Sequence, residues 1–227
     1  MLLNFDNVEF SYDKNAEVLK GISFHLDYGE KVALLGLNGA GKSTLMLLAD
    51  GLLQPVKGNV TVKGIDTKSK SLKEIRKIVG VVFQNPDDQL FMPTVWDDVA
   101  FGPRNMGLSE EMVKRKVELA LRTTETIDLA HRYPFDLSGG QKKAVSIATV
   151  LSMDPELLIM DEPTSGLDFL AIENFINIID SLPQTVLIST HDLELAKRLC
   201  SRAILLDKGR IVFDGKIEDL SISQLRL

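Results

Sequence analysis

The chain has 227 residues, 44% hydrophobic and 26% charged, the balance of a folded globular protein rather than a disordered one. A net charge of −6 argues against a nucleic-acid partner gripped by bulk positive charge. The single cysteine, Cys200, excludes an intramolecular disulfide and shares apolar spacing with Leu195, Leu199 and Ala203, which predicts a buried, reduced thiol in a cytosolic protein.

The first residues carry no basic segment and no long apolar run, so no secretory leader is expected. No stretch approaches the roughly 18 consecutive apolar residues needed to cross a bilayer. Along the chain, Val8, Phe10 and Tyr12 alternate with Glu9 and Ser11. Ile22, Phe24 and Leu26 alternate with Ser23 and His25. That period of two predicts half-buried antiparallel strands, with His25 on the exposed face. Residues 32–35, 79–83, 157–160 and 186–188 are instead short continuous apolar runs, as strands buried on both faces of a parallel sheet would be. Between them, residues 42–50 read as a helix closed by Gly51. Ser109 suits an N-cap ahead of Val113, Val117, Ala120 and Leu121, and Ala144, Ile147, Ala148 and Leu151 repeat helical spacing before Pro155. Asp207-Lys208-Gly209-Arg210 reads as a hairpin turn. The predicted architecture is an α/β core, residues 1–92 and 154–227, with an antiparallel β edge and a helical subdomain inserted at about 93–153.

Three segments carry chemistry. Gly36-Leu37-Asn38-Gly39-Ala40-Gly41-Lys42-Ser43 has two glycines bracketing four residues before Lys-Ser, between a buried strand and a helix that continues with Thr44. Such glycines let successive backbone N–H groups curl around a phosphate, and the helix adds its positive end. Lys42 then reaches the β- and γ-phosphates and the Ser43 hydroxyl suits Mg²⁺. The run 157–160 ends in Asp161 and Glu162, at the carboxyl end of a strand where ligands of open α/β sheets bind. Asp161 suits Mg²⁺, and Glu162 suits the general base that polarises the attacking water. Leu137-Ser138-Gly139-Gly140-Gln141 places a capping serine and two glycines at the start of an amphipathic helix, a second anion-binding helix end.

Together with Gln84 after a strand, Ser165-Gly166-Leu167-Asp168 and His191, this ordered set resembles the ATP-binding-cassette (ABC) family of transporter ATPases over nearly the whole chain. The resemblance implies an α/β P-loop ATPase working as a head-to-tail dimer of this chain with an identical or paralogous cassette, two ATP molecules being sandwiched between the P-loop, residues 36–43, and the signature, residues 137–141. In that arrangement Ser138, Gly139, Gly140 and Gln141 meet the partner's nucleotide and Asp168 couples the two sites. Gln84 contacts Mg²⁺ or the water and senses movement of a transport subunit. His191 grips the γ-phosphate. Tyr12 stacks on adenine, with Val18 beside the ring. Lys142 and Lys143 are expected on a solvated helix face without a role.

Residues 82–91 and 95–103 resemble the energy-coupling-factor importers of cobalt, nickel and vitamins. Three departures stand out: Ala144 where relatives usually carry Arg, Phe169 where Pro is usual, and a chain end at Leu227 without the C-terminal extension that many of that branch use in dimer contacts. The implied setting is the cytoplasmic side of the cell membrane, held there by an integral membrane subunit docked near residues 84–101, with no nucleic acid involved. The competing readings are a cassette ATPase without a transporter and an ATP-binding assembly or switch subunit that does not turn over. Intact Glu162 and His191 argue against the latter.

Overall fold

The computed structural model describes residues 1–13, 17–69 and 71–221; the chain end at Leu227 lies outside them. In chain order the elements are β1 (Leu3–Ser11), β2 (Glu17–Leu26), β3 (Lys31–Leu35), α1 (Lys42–Ala49), β4 (Lys57–Val62), β5 (Ile65–Asp66), α2 (Leu72–Ile78) and β6 (Val79–Val82). Three helices follow, α3 (Val95–Asn105), α4 (Glu110–Thr123) and α5 (Gly139–Leu151). The last third contains β7 (Leu157–Asp161), α6 (Phe169–Ser181), β8 (Thr185–Thr190), α7 (Leu193–Leu199), β9 (Arg202–Asp207) and β10 (Arg210–Lys216). The chain divides into two compact units, Met1–Val79 with Glu156–Glu162 and Pro183–Leu227, and Gly80–Pro155 with Pro163–Leu182.

The first unit holds the two kinds of strand that the hydrophobic patterns separate. The alternating strands β1 and β2 pair antiparallel, with Phe5 opposite Phe24 and their rings stacked at 4.7 Å; the sheet order is β2-β1-β4-β5. His25 is exposed, as its polar phase requires. The continuous apolar strands β3, β7 and β8 lie in a second sheet, whose order within this unit is β10-β9-β3-β8-β7, and the chain leaves this unit after Val79, at the start of β6. There β9, β3, β8 and β7 run parallel, and every residue of β8 is buried. Each strand must therefore be apolar on both faces. The antiparallel β9–β10 hairpin turns at Lys208 and Gly209, with φ of 45° and 80°, the left-handed pair that a tight hairpin needs. Helix α1 buries Leu45, Met46, Leu48 and Ala49, and Gly51 at φ 73° takes the chain out of it. Cys200 is buried, and loss of hydration pushes its thiol up to about 12, so it is an inert thiol.

The second unit is mostly helical. Thr94 caps α3, Ser109 caps α4, and α4 buries Val113, Val117, Ala120 and Leu121. Helix α5 opens with a complete capping box: the Ser138 hydroxyl accepts from the Gln141 N–H at 3.3 Å, and the Gln141 side chain accepts from the Ser138 N–H at 3.0 Å. Ala144, Ile147, Ala148 and Leu151 are buried as their spacing predicts. The unit is wider than residues 93–153. It also contains residues 80–92, hydrogen-bonded to α5, and α6, whose Ala171 lies against Gly140 of α5.

One expectation fails here. Lys143 does not lie on a solvated face but is 1% exposed, its ammonium donating to the carbonyls of Phe83 at 2.9 Å and Gln84 at 2.8 Å. A buried cation persists only where such acceptors meet it. Lys142, one residue earlier, pairs with Asp87 at 2.7 Å. Among the described residues no helix is long and apolar enough to cross a membrane.

Candidate functional site

The loop between β3 and α1 is shaped by its backbone. Gly36 and Gly41 sit at φ 152° and 108°, conformations that L side chains rarely adopt. A Cβ on Gly36 would come within 2.4 Å of the Leu206 carbonyl, and one on Gly41 within 2.7 Å of the Leu19 side chain. Leu37, Asn38 and Gly39 are exposed, whereas Ala40 is buried, with its carbonyl held by the Gly209 N–H at 3.2 Å. Helix α1 begins without a side-chain cap and with no acidic residue in its first turn. Its leading N–H groups thus face the loop with no side-chain oxygen of their own, the arrangement of an anion-binding helix end.

Lys42 is buried and donates to the carbonyls of Gly36 at 2.7 Å and Leu37 at 3.3 Å, which stretches the side chain back over the loop. The Ser43 hydroxyl donates to Asp161 Oδ2 at 2.6 Å, joining the loop to the end of β7. Glu162 follows in a left-handed conformation, φ 40°, with its N–H bonded to the Ser189 carbonyl at 2.9 Å. That strained turn costs of order 1 kcal/mol and is the kind of outlier that active sites keep. It puts one carboxylate oxygen 2.9 Å from His191 Nδ1 and the other 3.8 Å from Lys42 Nζ, in ion-pair range without a hydrogen bond. The glutamate side chain is 12% exposed, the histidine 71%. A carboxylate held by a histidine and a lysine, largely out of water, can accept a proton from a water molecule and orient it.

Tyr12 is exposed and stands edge-on to Phe10 at 5.0 Å; its hydroxyl meets Thr44 Oγ1 at 3.2 Å. The Val18 carbonyl runs past Gly209 and Gly41. The first unit therefore brings together Tyr12, Val18, residues 36–44, Asp161, Glu162 and His191. The second unit holds the rest. Gln84 is exposed two residues beyond β6, and Ser138, Gly139, Gly140 and Gln141 form the start of α5. Asp168 caps α6 through the Ala171 N–H at 2.8 Å. Two residues near these positions escape a reading by motif. Ser189 has a fully buried hydroxyl without a hydrogen-bond partner, opposite Asp161 in the β7–β8 register. Lys143 has the carbonyl contacts given above. A hydrophobic run announces neither role, because serine and lysine read there as ordinary polar residues.

The donors at the loop fit a magnesium ion. A hydroxyl and a carboxylate, both oxygens, converge at 2.6 Å, and Mg²⁺ takes few protein oxygens when phosphates and waters complete its octahedron.

Comparison with known proteins places these features. Residues 19–165 match the family model described as ABC transporter. The energy-coupling factor transporter ATP-binding protein EcfA of Methanocaldococcus jannaschii is 48% identical over 213 residues, 92% of this chain and 74% of that protein. The protein of the same name from Methanosphaera stadtmanae is 46% identical over 224 residues, 96% of this chain and 81% of that one. Among solved structures, CbiO1 from Clostridium perfringens, part of the ABC transporter complex CbiONQ, superposes with a TM-score of 0.89 at 35% identity, covering 96% of this chain and 89% of that one. A bacterial ABC transporter cassette solved as a dimer superposes with a TM-score of 0.83 at 28% identity, over 96% of this chain and all of that one. With its phosphate loop, its paired carboxylates and its signature helix, the chain belongs to the ABC transporter family of ATP-binding ATPases.

Proposed function

We propose that this protein is the ATP-hydrolysing subunit of an energy-coupling-factor importer, paired head to tail with a second cassette and held on the cytoplasmic side of the membrane by an integral subunit. The observation that carries hydrolysis is Glu162, fixed between His191 and Lys42 one residue after the Asp161 that receives the Ser43 hydroxyl. In this reading Lys42 turns its ammonium to the β- and γ-phosphates, Glu162 takes the proton of the attacking water, and His191 orients water and γ-phosphate together. Ser43 and Asp161 would hold magnesium, which when bound offsets charge on the phosphates. Tyr12 and Val18 would line the adenine site, and Gln84 would report the state of the transport subunit.

Pairing is supported by Gly139, where a Cβ would meet, beyond its own helix turn and among the described residues, nothing nearer than the Leu167 side chain at 4.0 Å. A glycine with that much space of its own suits the close approach of a partner's nucleotide, beside Ser138, Gly140 and Gln141. Asp168 lies at the head of α6 in the same unit. A membrane partner is supported by the names of the relatives and by the exposed rings of Phe91 and Phe101, edge-on at 5.0 Å, while Leu90 and Val95 beside them are buried. Trp96 is half-buried, so Phe91 is the sharper probe.

The test is steady-state turnover and gel filtration of Glu162→Gln. Loss of about 100-fold or more in turnover with an ATP-dependent dimer peak is expected; wild-type turnover would show that Glu162 is not the base and favour a switch without catalysis. In the same preparations Phe91→Ser should keep its ATPase rate while membrane co-purification and solute uptake fall. Unchanged uptake would place docking elsewhere.

A further inference from the structure

We infer that Lys143 is a positioning residue for Gln84, so that α5 carries the signature at its N-terminus and the Gln84 segment on its flank as one mechanical piece. The inference rests on the ATPase reading above and adds to it how the signature and Gln84 are joined. Its basis lies wholly within the helical unit. Lys143 is 1% exposed and four residues into α5 from Gly139. Its ammonium bridges two consecutive carbonyls, Phe83 at 2.9 Å and Gln84 at 2.8 Å. A cation so deeply removed from water is costly unless its hydrogen bonds are met, and charge-assisted bonds to carbonyls are stronger than neutral ones. The loop backbone at Gln84 is thereby pinned at the point from which the exposed side chain projects.

A second fastening closes the other end of the loop. Gln89 accepts from the Phe83 N–H at 3.1 Å and donates to the Ser146 carbonyl at 2.8 Å and the Thr149 hydroxyl at 2.7 Å. Residues 83 to 89 are thus tied to α5 at one turn through Lys143 and at the next through Gln89. Between these ties Asn85 caps the short 3₁₀ turn Pro86–Asp88, accepting from the Asp87 N–H at 3.2 Å. A helix fastened to a seven-residue loop by Lys143 and Gln89, with the Lys142–Asp87 pair beside them, has little freedom to move without it. Any shift of Ser138, Gly139 and Gly140 against a partner's nucleotide would therefore displace the Gln84 backbone too, as a rigid-body motion of packed parts. A linear motif search passes over Lys143, since its acceptors lie about 60 residues earlier in the chain.

The test is a double-mutant cycle in the full chain with its transport partner present, combining Lys143→Met with Gln84→Ala. Lys143→Met keeps the length and apolar body of the side chain and removes its donors. Turnover at saturating ATP should fall roughly tenfold or more for Lys143→Met, with KM and the affinity for a fluorescent ATP analogue within twofold of wild type. In the Gln84→Ala background the same substitution should cost no further turnover. Lys143→Arg, which retains a cation, should recover part of the rate. Additive losses, a fall in nucleotide affinity that parallels turnover, or wild-type turnover in Lys143→Met would each overturn the inference. Amide exchange of residues 83–91 gives a readout independent of hydrolysis: it should quicken markedly more in Lys143→Met than in Lys142→Ala, which removes only the pair with half-exposed Asp87. Unchanged exchange in Lys143→Met would also overturn the inference. If wild-type protein hydrolyses no ATP but exchange responds as stated, the catalytic reading fails while the fastening stands. If Lys143→Met does not fold, Lys143→Arg and Gln89→Ala take its place in the exchange comparison, and exchange like wild type in Gln89→Ala overturns the inference.

Discussion

In the proposed function the starts of α1 and α5 both face phosphate, and they are built in opposite ways. Helix α1 opens on Gly41 in a left-handed conformation, with no side-chain cap, and two of the three loop glycines are demanded by the chain's own atoms: Leu206 blocks a side chain at 36 and Leu19 at 41, while Gly39 has open space and a φ of 81°. Helix α5 opens on a full capping box, and around Gly139 the chain leaves room for a side chain. The first end is finished within one chain, because its shape is required by internal packing. The second satisfies its own helix and still keeps a glycine that internal packing does not require. That difference is what a composite site between two chains predicts.

Three experiments break or sharpen the contrast, beginning with the largest effect. Lys42→Ala should abolish hydrolysis and severely weaken ATP binding, since the backbone alone cannot balance the phosphate charge that the ammonium offsets. Turnover near wild type, measured by phosphate release, would mean that the α1 end is not the nucleotide site.

The second experiment separates the two signature glycines. Gly139→Ala should melt like wild type and bind ATP as one chain does, yet lose the ATP-dependent dimer and about tenfold in turnover. Gly140→Ala should instead lower the melting temperature, because its Cβ would stand 2.7 Å from that of Ala171. Calorimetry and gel filtration distinguish them. A Gly139→Ala protein with full dimerisation and turnover would remove the argument that Gly139 makes room for a partner.

The smallest effect concerns the opposite end of α1. Asp50 is buried at its C-cap, and burial raises its carboxyl to about 6, from an ordinary 3.8, against a lowering pull from Arg76. A raised folded-state value means that the stability linked to protonation is complete below pH 3.8 and is lost as pH rises through about 6. The charge also opposes the helix dipole. Asp50→Asn should therefore raise stability at pH 7.5 by about 1–3 kcal/mol, and the gain should vanish below about pH 4. Urea titrations at the two pH values measure this, and equal shifts at both would mean that the charge is not the cause.

Much of the site was legible because its signals are local. The two glycines bracketing four residues before Lys42-Ser43, the apolar strand ending in Asp161-Glu162, and Ser138 three residues before Gln141 each announce their geometry within a few positions. The strand classes were legible too, since alternation and continuous apolarity follow directly from how many faces are covered. The burial of Lys143 is not legible, because lysine in a helix is usually exposed and nothing nearby in sequence shows the Phe83 and Gln84 carbonyls that hold it. Between residues 90 and 101 core and surface positions alternate irregularly, Leu90 and Val95 buried, Phe91 and Phe101 exposed, with no periodic pattern to sort them.

By itself, the sequence determined the α/β class, the phosphate loop, the carboxylate pair and the helix caps, each set by backbone preferences and charges acting over one or two turns. Only the tertiary structure decided that Glu162 bends into a left-handed turn between His191 and Lys42, and that Leu90 and Val95 go inward while Phe91 stays out. It also decided that Lys143 is buried under a distant loop. These outcomes depend on which atoms arrive from far along the chain, and the cost of burying a charge or exposing a ring is set by those neighbours rather than by the residue type.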